Sequence, residues 1–155
     1  MGQLTSPRAR LEDLLAKNLI GEEEFHRRLS DAVVVQPTVG SYIVELETRN
    51  DYDGNLTCCI GYLKITENEN EFVLSATIHC KAGTNYNPES DGTWTGTMQR
   101  DTYQMNFVER YNSHRGGFVY DVSQEGPAWV GTYYWDIKKA ATGTATITIY
   151  EDTTY

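Results

Sequence analysis

At 155 residues, with 39% hydrophobic and 23% charged side chains, the chain is long enough for one domain with a real core and too apolar for a disordered segment. Its net charge of -9 falls mainly after residue 35, where eight basic side chains meet sixteen acidic ones, against five and six before it. Phosphate neutralisation by Lys and Arg supplies most nucleic-acid affinity, so DNA and RNA are not expected partners.

The N-terminal stretch 1–35 reads as a helical hairpin. Met1-Gly2-Gln3-Leu4-Thr5-Ser6 fits the short pattern for myristoylation of Gly2, which matches often by chance. Ser6-Pro7 places a capping residue before a proline at the first helical position, where the missing N–H costs nothing. Leu11, Leu14 and Leu15 recur at helical spacing, and Asn18 tolerates the left-handed geometry that ends helices. A second helix starts near Gly21, with Glu22, Glu23 and Glu24 at the positive end of its dipole. Phe25 and Leu29 supply its apolar face, and Arg27 and Arg28 are expected near its end. Leu11, Leu14-Leu15, Asn18-Leu19-Ile20, Glu23-Glu24-Phe25 and Leu29 resemble the SHOCT family of two-helix modules. That resemblance implies an accessory or self-associating role. Helices this short cannot bury an apolar face alone, so they must pack on the rest of the chain or on another copy.

After the connector 33–37 the apolar period becomes two. Within the domain 36–155, turn residues delimit eight strands, at 39–49, 55–66, 71–80, 93–99, 102–110, 117–123, 128–136 and 143–151. No helical stretch interrupts them, which excludes a parallel βαβ sheet. The fold class is therefore mainly β, an eight-stranded antiparallel up-and-down barrel after an αα-hairpin, preferred over a sandwich because closure removes both sheet edges. Gly61, Gly96 and Gly131 lie inside strands, where glycine marks bending or close backbone approach. Gly92-Thr93-Trp94-Thr95-Gly96, Trp129-Val130-Gly131-Thr132-Tyr133 and the final Gly143-Thr144-Ala145-Thr146-Ile147 resemble the lipocalin-like, or calycin, barrels. The Gly-x-Trp signature of the classical secreted members is absent from the first strand. A more distant likeness is to the β-barrel sensor domains of bacterial antiviral effectors, which bind cyclic nucleotides.

Candidate ligand-binding residues follow from this register. Trp94, Met98, Tyr103, Met105, Phe107, Tyr133 and Trp135 form one alternating set, either the lining of a pocket or the filled core of a small barrel. Glu109 shares their register, as a solvent-facing residue at the barrel end or as a buried acid. Arg110, His114 and Arg115 make a locally basic loop with Tyr111 and a Gly pair, suited to an anion or to a plain polar turn. The loop 81–92 exceeds hairpin length and reads as a lid or contact loop.

Cys58 and Cys59 are adjacent on one strand and point to opposite faces; with Cys80 they make an odd count without CxxC spacing, read as reduced thiols. His26, His79 and His114 lack ligand spacing, so no metal and no cofactor are expected. No apolar run approaches transmembrane length, and no export signal is read, so a cytoplasmic location is expected. No catalytic residues are assigned. The expected function is a non-enzymatic small-molecule-binding or sensor module of calycin-like type that forms homo-oligomers through its hairpin. The alternative is an interaction protein with a filled barrel, and an enzyme using Glu109 or His114 ranks last.

Overall fold

A computed structural model of the chain describes residues 6–111, 116–140 and 142–152 apart from 83–89, and leaves the side chains of 81, 82 and 90 outside that description. Two helices precede eight strands: α1 (Pro7–Ala16), α2 (Glu22–Ala32), β1 (Gly40–Asn50), β2 (Leu56–Glu67), β3 (Phe72–Ala82), β4 (Ser90–Met98), β5 (Met105–Tyr111), β6 (Phe118–Glu125), β7 (Ala128–Trp135) and β8 (Thr142–Glu151). Each strand pairs antiparallel with the next, and β8 pairs with β1 to close the barrel.

The helices form where their end signals stand. The Ser6 hydroxyl accepts a hydrogen bond from the Ala9 amide at 3.0 Å, Pro7 opens α1, and Asn18 takes the left-handed φ of 58° just past its end. Removing such a cap costs about 1 kcal/mol. Ser6→Ala is therefore expected to lower the urea midpoint without changing the slope of the transition. Glu22, Glu23 and Glu24 occupy the first turn of α2. Arg27 and Arg28 are not at its end, because the helix continues to Ala32; both reach back to Glu24 as (i, i+3) and (i, i+4) ion pairs.

The hairpin lies against the outside of its own barrel. Ala32 of α2 is buried with Ile43 of β1 and Tyr150 of β8, and Leu29, Val33 and Ile60 pack around them. Val33 bridges to Tyr150, and the Val34 amide donates to the Ile149 carbonyl at 2.8 Å, so the connector extends the sheet. Burial and the neighbouring Glu45 hold the Tyr150 hydroxyl well above its usual range, with Arg8 of α1 opposing. This arrangement satisfies the requirement that so short a hairpin find a partner surface.

Alternation decides the core. Leu74, Ala76, Ile78 and Cys80 of β3 and Ala145, Ile147 and Ile149 of β8 point inward and are buried. The inward glycines sit where strands approach closely: a Cβ at Gly61, Gly96 or Gly131 would overlap the carbonyl oxygen of Thr77, Asn106 or Asp121 on the neighbouring strand. The main departure from expectation is at β5, which begins at Met105 rather than 102. Residues 99–104 form a turn in which Tyr103 has a left-handed φ of 61°, and a residue so placed cannot continue a strand.

The register also corrects the reading of the thiols. Cys59 of β2 stands opposite Cys80 of β3, and the two are joined in a disulfide. Cys58, on the other face, is free and exposed. Because two of the three thiols are paired, cysteine chemistry no longer supports a reducing compartment. No helix among the described residues is long and apolar enough to cross a membrane.

Candidate functional site

An up-and-down barrel has two ends. By strand order, β1 joins β2, β3 joins β4, β5 joins β6 and β7 joins β8 at the upper end, while β2 joins β3, β4 joins β5 and β6 joins β7 at the lower one. The lower end is closed by apolar packing. Met98, Met105 and Trp129 are fully buried, and the Trp129 indole Nε1 donates to the Tyr103 carbonyl at 2.8 Å. The unusual backbone of Tyr103 thus presents an acceptor to a buried indole that needs one.

Four rings cross the interior as one stack. Trp94 of β4 lies on Phe107 of β5 at 4.1 Å, Phe107 on Tyr120 of β6 at 4.7 Å, and Tyr120 on Tyr133 of β7 at 5.3 Å, all within 26° of parallel. A second tier stands on the upper side of this stack. There Phe118 meets Tyr111 and Tyr133 edge-on, at 5.9 and 6.1 Å. Tyr111, Phe118 and Trp135 are half-buried.

Glu109 lies between the two tiers. Its carboxyl is 1% exposed and accepts three hydrogen bonds: from Trp94 Nε1 to Oε2 at 2.8 Å, from the Tyr120 hydroxyl to Oε1 at 3.0 Å, and from the Tyr111 hydroxyl to Oε1. The sheet makes this meeting unavoidable. Trp94 is the directly opposed neighbour of Glu109 on β4, Tyr111 is the next inward residue of β5, and Tyr120 is the inward residue of β6 opposite Phe107. Around the same point the Cys80 Sγ is 3.1 Å from the Tyr111 hydroxyl and the Cys59 Sγ 3.9 Å from it, which places the disulfide against the cluster. No ion pair reaches Glu109 among the described residues.

Burial pushes the Glu109 carboxyl above its ordinary value of 4.5, against the pull of the bonds from Tyr111, Trp94 and Tyr120. Burial and the adjacent carboxylate drive Tyr120 well above 10, so its hydroxyl remains a donor at any ordinary pH. Since the native state holds the Glu109 proton to a higher pH than the unfolded chain does, this group's contribution to stability declines as pH rises from 4.5 through the folded value. Glu109→Gln removes that contribution. The difference in stability between the variant and the wild type is expected to shift in the variant's favour as pH rises above 4.5, in urea denaturation followed from pH 4 to 8.

The candidate residues therefore separate. Trp94, Phe107, Glu109 and Tyr133 converge, with Trp135 in the half-buried tier above them. Tyr103 and Met105 belong to the lower end. Arg110 points outward, exposed, with its guanidinium 4.0 Å from Asp136. His114, Arg115, and most of the 81–92 loop lie outside the described residues, as does Gly2. Tyr120 and Phe118 belong to the cluster and are not among the ligand residues expected from the sequence, although Tyr120 and Val122 alternate with Asp121 and Ser123 and Phe118 shares their register; Tyr111, read above only as part of the basic loop, continues the inward register of Glu109.

A separate groove of about 370 Å³ runs on the outside, under α1, lined by Arg8, Glu45, Glu47, Cys58, Thr146 and Thr148 among others. Partial desolvation in the groove and the two glutamates raise the otherwise exposed Cys58 thiol, which disfavours the reactive thiolate there. The interior cluster is the stronger candidate, because it places a buried acid among oriented donors and rings. No protein-family model matches the chain, and neither a curated protein nor a solved structure does.

Proposed function

We propose that the protein is a non-enzymatic, calycin-like module that takes a small molecule at the upper end of its barrel. The observation that carries this reading is Glu109, an acid held 1% exposed beneath three half-buried aromatic side chains. Glu109 and the donors of Trp94 and Tyr120 withhold a whole set of polar groups from water, which a purely apolar filled interior would not need, so the cluster is read as part of a recognition surface. Self-association through the hairpin belongs to the same proposal, with Leu19, 67% exposed, as the apolar residue the hairpin still offers to a second copy.

The second reading, an interaction protein with a filled barrel, is favoured by the unbroken ring stack from Trp94 to Tyr133. Thermal shift separates the two. A specific ligand at a hundredfold its Kd stabilises a fold by about 2.7 kcal/mol. For a chain of this size that is a rise in Tm of about 5–10 °C. The binding reading expects such a rise with some member of a panel of nucleotides, lipids and small metabolites, reduced by Phe118→Ala. A flat response across the panel, together with a defined oligomer in light scattering, would replace it with the interaction reading.

A further inference from the structure

Resting on the proposed self-association, we infer that a second copy of the chain joins by exchange: the hairpin and connector of each copy enter a strand slot beside β8 of the other. The slot follows from strand lengths. Pairing of β7 with β8 runs no further than Trp129 opposite Ile147, while β8 continues to Glu151. The backbone of that overhang needs a partner, as any sheet edge does. Val33 and Val34 supply it, through the bridge to Tyr150 and the bond to the Ile149 carbonyl. Val34 also packs on the barrel core, and the Val35 carbonyl accepts from Gln124 Nε2 of β6. An extended segment is what such an edge takes, and every copy carries the one that fits.

The hinge gives the same answer. Tyr150 has Ile43 of β1 on one side and Val33 on the other, so the slot lies across β8 from β1. To enter β1 at Gly40 the chain must cross two strand spacings, about 9.6 Å. Thr38 is already tied to β1, its amide donating to the Tyr42 hydroxyl at 3.1 Å and its carbonyl accepting from that hydroxyl at 2.8 Å. Gln36 and Pro37 alone lie between Thr38 and the tied carbonyl of Val35. Pro37 fixes its own φ and disfavours helical backbone at Gln36. A short, stiff hinge of this kind invites exchange. Exchange remakes the contacts of hairpin with barrel, Ala32 on Ile43 and Tyr150 included, so its main cost is the lost freedom of a second chain.

Two complementary full-length variants test this. Val33→Cys and Tyr150→Cys, each also carrying Cys58→Ser, are mixed in urea, refolded together and oxidised in a glutathione buffer. Opposed residues of an antiparallel bridge stand within disulfide reach, so the two chains become linked where the connector of one occupies the slot of the other. The expected result is a mixed covalent dimer, identified by mass, as the main dimeric product. A second variant, with Gly-Ser-Gly-Ser-Gly-Ser inserted after Gln36, relaxes the hinge and is expected to weaken the wild-type dimer about tenfold in light scattering. It decides the matter should Tyr150→Cys not fold. A dimer that gives no mixed link, or one indifferent to hinge length where that variant decides, overturns exchange and leaves self-association through the face that bears Leu19, which Leu19→Ser then dissolves. A wild-type chain that stays monomeric up to millimolar concentration overturns exchange and self-association together.

Discussion

Glu109→Leu is expected to lower stability by about 3–5 kcal/mol, the largest loss from any single change in the cluster. The leucine is close in size and fully apolar, so the effect is not one of packing. It comes from the donors left behind. Trp94 and Tyr120 are 1% and 2% exposed, and neither can turn to water when the carboxyl is gone. A buried donor without a partner costs about 1–3 kcal/mol, while half-buried Tyr111 recovers part of its bond from solvent. Glu109→Gln should be far milder. Its carbonyl oxygen can accept from Trp94, and its amide can donate to the two tyrosine oxygens, which accept as readily as they donate. The double variant Glu109→Leu/Tyr120→Phe removes an orphaned donor together with its acceptor and should lose less than the sum of its parts. Urea denaturation of these variants, of Tyr120→Phe alone and of the wild type, five proteins in all, measures this. A loss below about 1 kcal/mol in Glu109→Leu would mean that the three donors find other partners, and that Glu109 does not hold the cluster together.

The barrel was legible because its signals are local and repeated. Period-two alternation, turn residues between runs, and glycines at inward positions locate eight strands, and the observed bounds lie within three residues of those read. The Ser6-Pro7 cap and Asn18 place α1 in the same way. What the sequence withheld is register. Alternation says that Cys59 and Cys80 both face inward, yet only the pairing of β2 with β3 sets them opposite each other. The same holds for Glu109. As one polar residue on an apolar face it reads most simply as a barrel-end side chain in water. Its burial depends on Trp94 lying across β4 and on Tyr111 standing above it. Tyr103 erred in the other direction: it continues the alternation of Met105 and Phe107, but its left-handed backbone takes it out of the strand. Arg110 looked site-like through its neighbours in the sequence, while its place on β5 turns it outward between Glu109 and Tyr111. A candidate site drawn from composition alone therefore mixes both ends and both faces of the barrel.

The second large effect concerns closure. Gly131→Ala is expected to cost about 3 kcal/mol, at the upper end of what one added methyl group does in a tight interior. Gly131 pairs with Val122 across β6 and β7, and a Cβ there would overlap the Asp121 carbonyl oxygen and crowd the Val122 backbone. Backbone cannot step aside as a side-chain tip can, so the two strands must separate. They separate at the point where Tyr120 and Tyr133 stack, one residue pair along the same face, and the strain reaches the floor of the candidate site. Thr132→Ala, one position away, gives the contrast: its side chain is exposed on the outer face, and such changes stay within about 0.5 kcal/mol. The expected signature of Gly131→Ala is thus a lowered urea midpoint together with weakened near-ultraviolet circular dichroism from the ring stack, while Thr132→Ala changes neither. Equal effects of the two substitutions would show that β6 and β7 are not in close approach, and would remove the reason for glycines at the matching inward positions of β2 and β4.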